Sequence, residues 1–220
     1  MSFSAIDPKS GKLQPVKWFV EHNVRAGICS VCGDAVDIKA DRTVQTRAHF
    51  AHAKGSPCPT VTRNRTRYEN LGASRYDDEQ AKHLRNAVST NVYEIYLNFQ
   101  ALSEGSKVKD FKDALIKADE LRVWRYAGLT LPFVPYILLT LVDQFNKKDN
   151  KFRKDDFFFM LPSEIRLYDD LWIKPYVKKK IIKISKKFEV LDEFPIRGSI
   201  IPVLHPTWLD VSFESLTKQV

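Results

Sequence analysis

Long apolar runs are missing from this chain. No window approaches the ~20 consecutive apolar residues of a membrane span, and the first residues, MSFSAIDPKSGKLQPVKWF, lack the basic start, apolar stretch and cleavage site of a secretory signal. A cytoplasmic protein is expected, with no membrane partner. Glycine is scarce, at 8 of 220 residues, and neither a repeat nor a low-complexity tract occurs, which excludes fibrous and disordered classes. Cysteine is limited to three, an odd number that cannot form a disulfide framework; two of them, Cys29 and Cys32, are a Cys-x-x-Cys pair, which in a reducing compartment points to metal. No phosphate-cradling glycine loop, nucleophile elbow or zincin helix is found, and no His-x-Glu precedes the cysteine pair as a deaminase requires. No small-molecule substrate is indicated.

What is present is an ordinary globular composition, 44% hydrophobic and 28% charged, on a chain long enough for a small domain joined to a medium one. The formal charge of +8 is uneven. Residues 1–70 carry 11 basic against 6 acidic groups, residues 71–170 carry 15 against 16, and residues 171–220 carry 9 against 5. Basic ends attract a polyanion, although a modest positive charge also serves solubility.

Three zones follow from the hydrophobic pattern. In residues 1–70, short stretches such as 16–20 and 35–39, broken by Gly and Pro, read as strands and turns of a small metal-bound β module. In residues 74–148, Ser74 is suited to cap a helix whose first turns hold Asp77, Asp78 and Glu79. Ala81, Leu84, Val88, Val92, Ile95, Phe99 and Leu102 then recur at helical spacing as one buried stripe. Val108, Phe111, Leu115 and Ala118 repeat the pattern after Gly105, as do Leu138, Leu141, Val142 and Phe145 after Pro135. In residues 155–215 the runs 156–161, 171–173, 180–185 and 199–204 predict short strands punctuated by prolines. The expected fold is α+β: a zinc-ribbon-like module over 1–70, then an α+β domain over 71–220 with a central helical subdomain and a small antiparallel sheet.

The chemistry-bearing string is Cys29-Ser-Val-Cys32-Gly, then His49-Phe-Ala-His52, then Ser56-Pro-Cys58. A Cys-x-x-Cys turn presents two thiolates from one knuckle, and His or Cys at a suitable distance completes a tetrahedral zinc site. Five donors compete for four positions. If residues 49–52 are extended, His49 and His52 point to opposite faces, which favours Cys29, Cys32, His52 and Cys58; a kinked backbone would instead recruit both histidines and leave Cys58 free. Four or five protein donors leave no open position for a catalytic water, so a structural zinc is expected.

Cys-x-x-Cys-Gly leading to Arg47-Ala-His49-Phe50-Ala51-His52 resembles, over roughly residues 15–60, the N-terminal zinc ribbon of competence protein CoiA-like and related bacterial or phage proteins. The resemblance implies a DNA-handling module in a prokaryotic or mobile-element setting, often joined to a restriction-type nuclease domain. Such a nuclease needs carboxylates and an Asp/Glu-x-Lys triplet on neighbouring strands. Asp37-Ile38-Lys39 matches the triplet but lies inside the ribbon, and reads as a solvent-facing strand. Beyond residue 70 the nuclease pattern is not recognisable. Asp155-Asp156 and Asp169-Asp170 read as solvated turn residues with ion-pair partners, and His83 as surface.

Arg63, Arg65 and Arg67 alternate after the ribbon and would share one face of an extended segment, while Arg42, Arg47 and Lys54 lie on the ribbon itself; such a row can track phosphates. A second cluster, Lys174, Lys178, Lys179, Lys180, Lys183, Lys186 and Lys187, suggests a strand with one wet basic face, or else a protected sheet edge. The leading expectation is a non-catalytic, zinc-stabilised nucleic-acid-binding or adaptor protein, with DNA favoured. The rivals are a protein–protein regulatory or inhibitory module presenting Trp124, Tyr126, Phe133 and Tyr136, and a divergent metal-dependent nuclease.

Overall fold

Five short strands of the first 51 residues assemble into one antiparallel sheet, ordered β2-β1-β3-β4-β5. They are β1 (Ser4–Ile6), β2 (Leu13–Pro15), β3 (Ala26–Ile28), β4 (Ala35–Lys39) and β5 (His49–Ala51), with helix α1 (Val16–Glu21) between β2 and β3. The computed structural model describes residues 2–40, 47–147, 153–175 and 179–198. The chain divides into two compact units, residues 1–67 and 68–220.

In the first unit, Phe50 N donates to Ser2 O (2.8 Å), so the chain entering β1 also meets β5. Residues 16–20, expected as a strand, form α1 instead. Pro15 is extended at its N-cap, and Val16 and Phe19 are both buried; three apart, they share a helix face, whereas a strand would place them on opposite sides. Phe19 packs edge-on against Phe50 (4.9 Å between centroids) beside Ala5, Val36 and the cysteines. Gly27 lets the layers meet: a Cβ there would sit 2.7 Å from the Ala5 Cβ and 3.1 Å from the Phe19 ring.

Helix α2 (Asn64–Glu69) holds the residues where the first unit ends and the second begins. The second unit contains α3 (Asp78–Thr90), α4 (Val92–Leu102), α5 (Val108–Glu120), two 3-10 turns (Val123–Arg125 and Leu131–Phe133) and α6 (Val134–Leu141). Strand β6 (Phe157–Met160), helix α7 (Asp170–Ile173) and strands β7 (Lys180–Ser185) and β8 (Val190–Pro195) complete it among the described residues, and the three strands form an antiparallel sheet ordered β6-β7-β8. The fold is thus α+β, with a small C-terminal sheet.

The predicted stripe is buried, with Leu84, Val88, Val92, Ile95 and Phe99 each under 9% exposed, but it runs over two helices. The break falls at Asn91, whose side-chain amide donates to Ala87 O (2.8 Å) and so competes with the backbone for that carbonyl. Asp77, not Ser74, caps α3: its carboxylate accepts from Glu79 N and Gln80 N, while Ser74 N and Oγ donate to Asp169. Every residue of α6 is buried, and its one non-aromatic hydroxyl, that of Thr140, is satisfied by donating to Ile137 O. Residues 171–173 fall within helix α7 rather than a strand, because Asp170 Oδ2 accepts from Arg166 N and Leu167 N and draws the chain into a turn. The expected strand 199–204 lies outside the described residues.

Aromatic rings dominate this core: Phe99 meets Phe111 and Phe145, and Phe145 stacks on Phe157 at 5.3 Å. Trp124, Tyr126 and Tyr136, weighed above as a presenting surface, are buried here, and burial raises the Tyr126 hydroxyl to about 12. Arg153, 2% exposed, lies over the Phe145 and Phe157 rings and donates to Ser103 O, Ser106 Oγ and Asn146 O. Desolvation lowers its guanidinium below the ordinary range, and these acceptors replace the lost water.

Replacing Gly27 by Ala is expected to lower the urea stability of the first unit by about 1–3 kcal/mol through overpacking against Ala5. The unfolding of the second unit, followed by its buried tryptophan fluorescence, is expected to stay unchanged.

Candidate metal centre

Two turns and one strand end bring four donors together. Cys29 directly follows β3, and Cys32 lies in the turn to β4, which Gly33 closes in the left-handed region (φ 73°). Gly33 N donates to Cys29 O and Cys29 N to Asp34 O, both at 2.8 Å, which locks the turn. Val31 N points at Cys29 Sγ and Asp34 N at Cys32 Sγ, each at 3.4 Å. These amides are hydrogen-bond donors aimed at thiolates, and they stabilise negative charge on both sulfurs.

His52 lies one residue past β5. Cys58 is held by Ser56 Oγ, which accepts from its backbone N–H (3.3 Å), and by Val61 N and Thr62 N, which donate to its carbonyl. Thr60 Oγ1 lies 3.1 Å from Cys58 Sγ. The ligand atoms of Cys29, Cys32, His52 and Cys58 all lie within 4.8 Å of one another, with Cys29 Sγ 4.0 Å from Cys58 Sγ and Cys32 Sγ 3.3 Å from His52 Nε2. Metal–sulfur bonds of about 2.3 Å and metal–nitrogen bonds of about 2.0–2.1 Å give a tetrahedron with edges of roughly 3.5–3.8 Å. The 3.3 and 4.0 Å separations bracket those edges, and the donors are those a divalent cation takes; the cluster can hold a metal ion.

His49 stands apart. It occupies β5 opposite Lys39, and its ring Nδ1–H donates to Arg47 O (3.0 Å). Because β5 is extended, His52 follows Phe50 to the inner side while His49 faces outward. A cavity of about 300 Å³ borders Cys29 and His52, and His49 lies on its wall with Ser2, Ser4 and Thr60.

Hydrogen bonds from Cys32 and Cys58 pull the Cys29 thiol far below its ordinary range; donating them, together with burial, pushes Cys32 and Cys58 up. A divalent cation must therefore displace thiol protons to enter. Among the described residues no other group of His, Cys, Asp and Glu gathers at ligand distance. Asp37 and Lys39 sit on the exposed side of β4, with Ala51 and His49 as their pairing partners.

The acidic pairs are engaged elsewhere. Asp156 accepts from Lys147 N and pairs with Lys186, and Asp170 pairs with Lys174. Asp169 and Asp170 are buried, 2% and 6% exposed, and not solvated as expected. His83 is exposed.

The predicted basic surfaces do not form as drawn. Arg65 and Arg67 belong to α2, where residues two apart point in divergent directions, so Arg63, Arg65 and Arg67 make no single row. Arg67 is 6% exposed and its guanidinium donates to Cys32 O (3.1 Å); it buttresses the knuckle instead of facing solvent. Arg47 is exposed with its guanidinium over the Phe3 ring, and Lys54 is exposed; Arg42 and Lys178 lie outside the described residues.

Strand β7 is the middle strand of its sheet, so the edge-protection reading does not hold either. Lys180 and Lys183, three apart on an extended chain, fall on opposite faces. Lys180 pairs with Glu193, and Lys183, 7% exposed, pairs with Glu104 beneath the Phe157 ring. Lys174 and Lys186 also have carboxylate partners, which leaves Lys179 and Lys187 as exposed members of the cluster without a carboxylate partner among the described residues.

Fold and site together define an α+β chain whose first unit is built around a Cys₃His group able to hold a metal ion. Comparison with models of protein families, with curated proteins and with solved structures finds no match.

Two outcomes distinguish the donor sets. Cys58→Ser is expected to abolish stoichiometric metal in the purified protein and to unfold the first unit, whereas His49→Ala keeps one metal per chain by elemental analysis. Acidification is expected to release the metal as protons reclaim the thiolates, and neutralisation to restore it, read by a colorimetric chelator.

Proposed function

We propose that this chain is a non-catalytic nucleic-acid-binding protein whose first unit is held together by a structural zinc ion. The observation that carries the reading is the coincidence of a four-donor site and an excess of positive charge in one small unit. Residues 1–67 hold 11 Lys and Arg against 5 Asp and Glu, while residues 68–220 hold 24 against 22. Lys9, Lys12, Lys17, Lys39, Arg47 and Lys54 are exposed on the first unit. Such a surface attracts phosphates without reading sequence.

Zinc suits the donor chemistry best: three thiolates and one imidazole at tetrahedral separations match its borderline-soft character and lack of geometric preference. With all four positions taken by protein there is none for a reacting water, which supports a structural role. The resemblance of residues 15–60 to CoiA-like zinc ribbons supports DNA as the nucleic acid, in a prokaryotic or mobile-element setting.

A protein partner is the second reading. Phe3, Leu13 and Val61 of the first unit are 45%, 58% and 55% exposed, large apolar groups that an adaptor would cover.

Fluorescence anisotropy of labelled DNA titrated with the metal-loaded full chain tests the first reading. Binding is expected at low salt, with log affinity falling linearly in log salt and a dissociation constant of about 10⁻⁴–10⁻⁶ M at physiological ionic strength. Absence of binding at low salt overturns it, and a stoichiometric co-purifying protein would then favour the adaptor.

A further inference from the structure

A groove of about 440 Å³ on the second unit gathers four cationic side chains that no sequence pattern joins. Lys82 and Arg85 come from α3, where three-residue spacing puts them on one face, and Arg122 and Arg125 flank Trp124 around the 3-10 turn that packs against α3. Asp119 is the one acidic residue in the lining.

The four cations are not equivalent. Arg85 is fixed by a two-pronged bond to Asp119 (3.0 and 3.2 Å), donates to Ser89 Oγ and lies over the Trp124 ring; Trp124 Nε1 also donates to Asp119. Arg125 is bound to Asp78 and lies over the Tyr76 ring. These contacts hold the Arg85 guanidinium plane, backed by the buried Trp124 ring, beside Ala81 in the groove. Lys82 and Arg122 are exposed and have no carboxylate partner among the described residues.

Arg122 carries a second mark. Its backbone sits in the left-handed region (φ 54°) just past the end of α5, a position where glycine is the unstrained choice. A long cationic side chain held there at a conformational cost faces the groove that Lys82 borders. Strain of this kind persists where a side chain is needed.

We propose that this groove binds a single strand of nucleic acid, with Lys82 and Arg122 taking phosphate oxygens and the Arg85 guanidinium plane, backed by the buried Trp124 ring, carrying a base. A flat guanidinium beside cations without carboxylate partners suits a nucleotide, which has a π-face and a charged backbone, and stacking of this kind takes a base free of its duplex partner. The inference rests on the nucleic-acid reading above and moves the strand contact from the predicted arginine row to the second unit.

The test is anisotropy of a labelled thymidine strand of about ten nucleotides with the metal-loaded full chain, in three variants. Lys82→Glu with Arg122→Glu is expected to weaken binding at least tenfold and to make the log–log salt slope shallower by about 2. Arg122→Gly is expected to weaken binding while its melting temperature stays level or rises, an outcome a purely structural arginine would not give. Arg47→Glu with Lys54→Glu, on the first unit, is expected to weaken strand binding by a smaller factor than the groove pair does. Full binding by both groove variants with loss in the first-unit variant overturns this inference and leaves the nucleic-acid reading standing. No binding by the unaltered chain overturns both, and binding of a phosphorylated peptide without binding of the strand overturns the groove assignment.

Discussion

Three thiols and an imidazole packed within 4.8 Å of one another are the constraint on which the first unit depends. The unit has 67 residues, and among those described its buried cluster outside the cysteines is Ala5, Val16, Phe19, Val36 and Phe50, with Trp18, Val24, Val31, Ile38 and Ala48 partly buried against it. A core of that size contributes little beyond the chain entropy it must offset. Cys29, Cys32 and Cys58 are themselves part of it, at 5%, 0% and 0% exposure, so the same side chains serve as hydrophobic filling and as donors. A cation at their centre would cross-link the β3–β4 turn, the end of β5 and the turn at Cys58.

The supports of this cluster show how tightly backbone and donors are joined. Two amides point at sulfurs, Gly33 allows the turn that aims them, and Arg67 reaches back from α2 to the Cys32 carbonyl. Arg67 thereby carries positive charge towards a group whose net charge is negative when three thiolates bind one divalent ion. Its position explains how an arginine that looks like a phosphate contact in the linear sequence becomes an internal brace.

The second unit handles charge differently. Its lysine-rich C-terminal stretch is largely cancelled by carboxylates that lie far away in sequence: Glu104 for Lys183, Asp156 for Lys186, Glu193 for Lys180. Meanwhile Lys82 and Arg122, forty positions apart across a stretch of near-neutral composition, have no carboxylate partner among the described residues and border one groove. Local charge density in a sequence is therefore a poor guide to field at the surface, because an ion pair needs proximity in space and adjacency along the chain does not supply it.

The sequence by itself determined the donor types and their spacing, the period of the buried stripe from Ala81 to Leu102, the α+β succession and the strand character of residues 35–39, 157–160 and 180–185. These are properties of neighbours a few positions apart, and side-chain chemistry with a 2.0 or 3.6 period reports them directly. Tertiary structure alone decided the rest: that residues 16–20 and 171–173 wind into helices, that Asp77 and not Ser74 caps α3, and which cations keep their charge unpaired. Each of those outcomes depends on a partner tens of residues away, such as Phe50 for Phe19, Asp169 for Ser74 or Glu104 for Lys183, and no local pattern encodes which distant group will arrive.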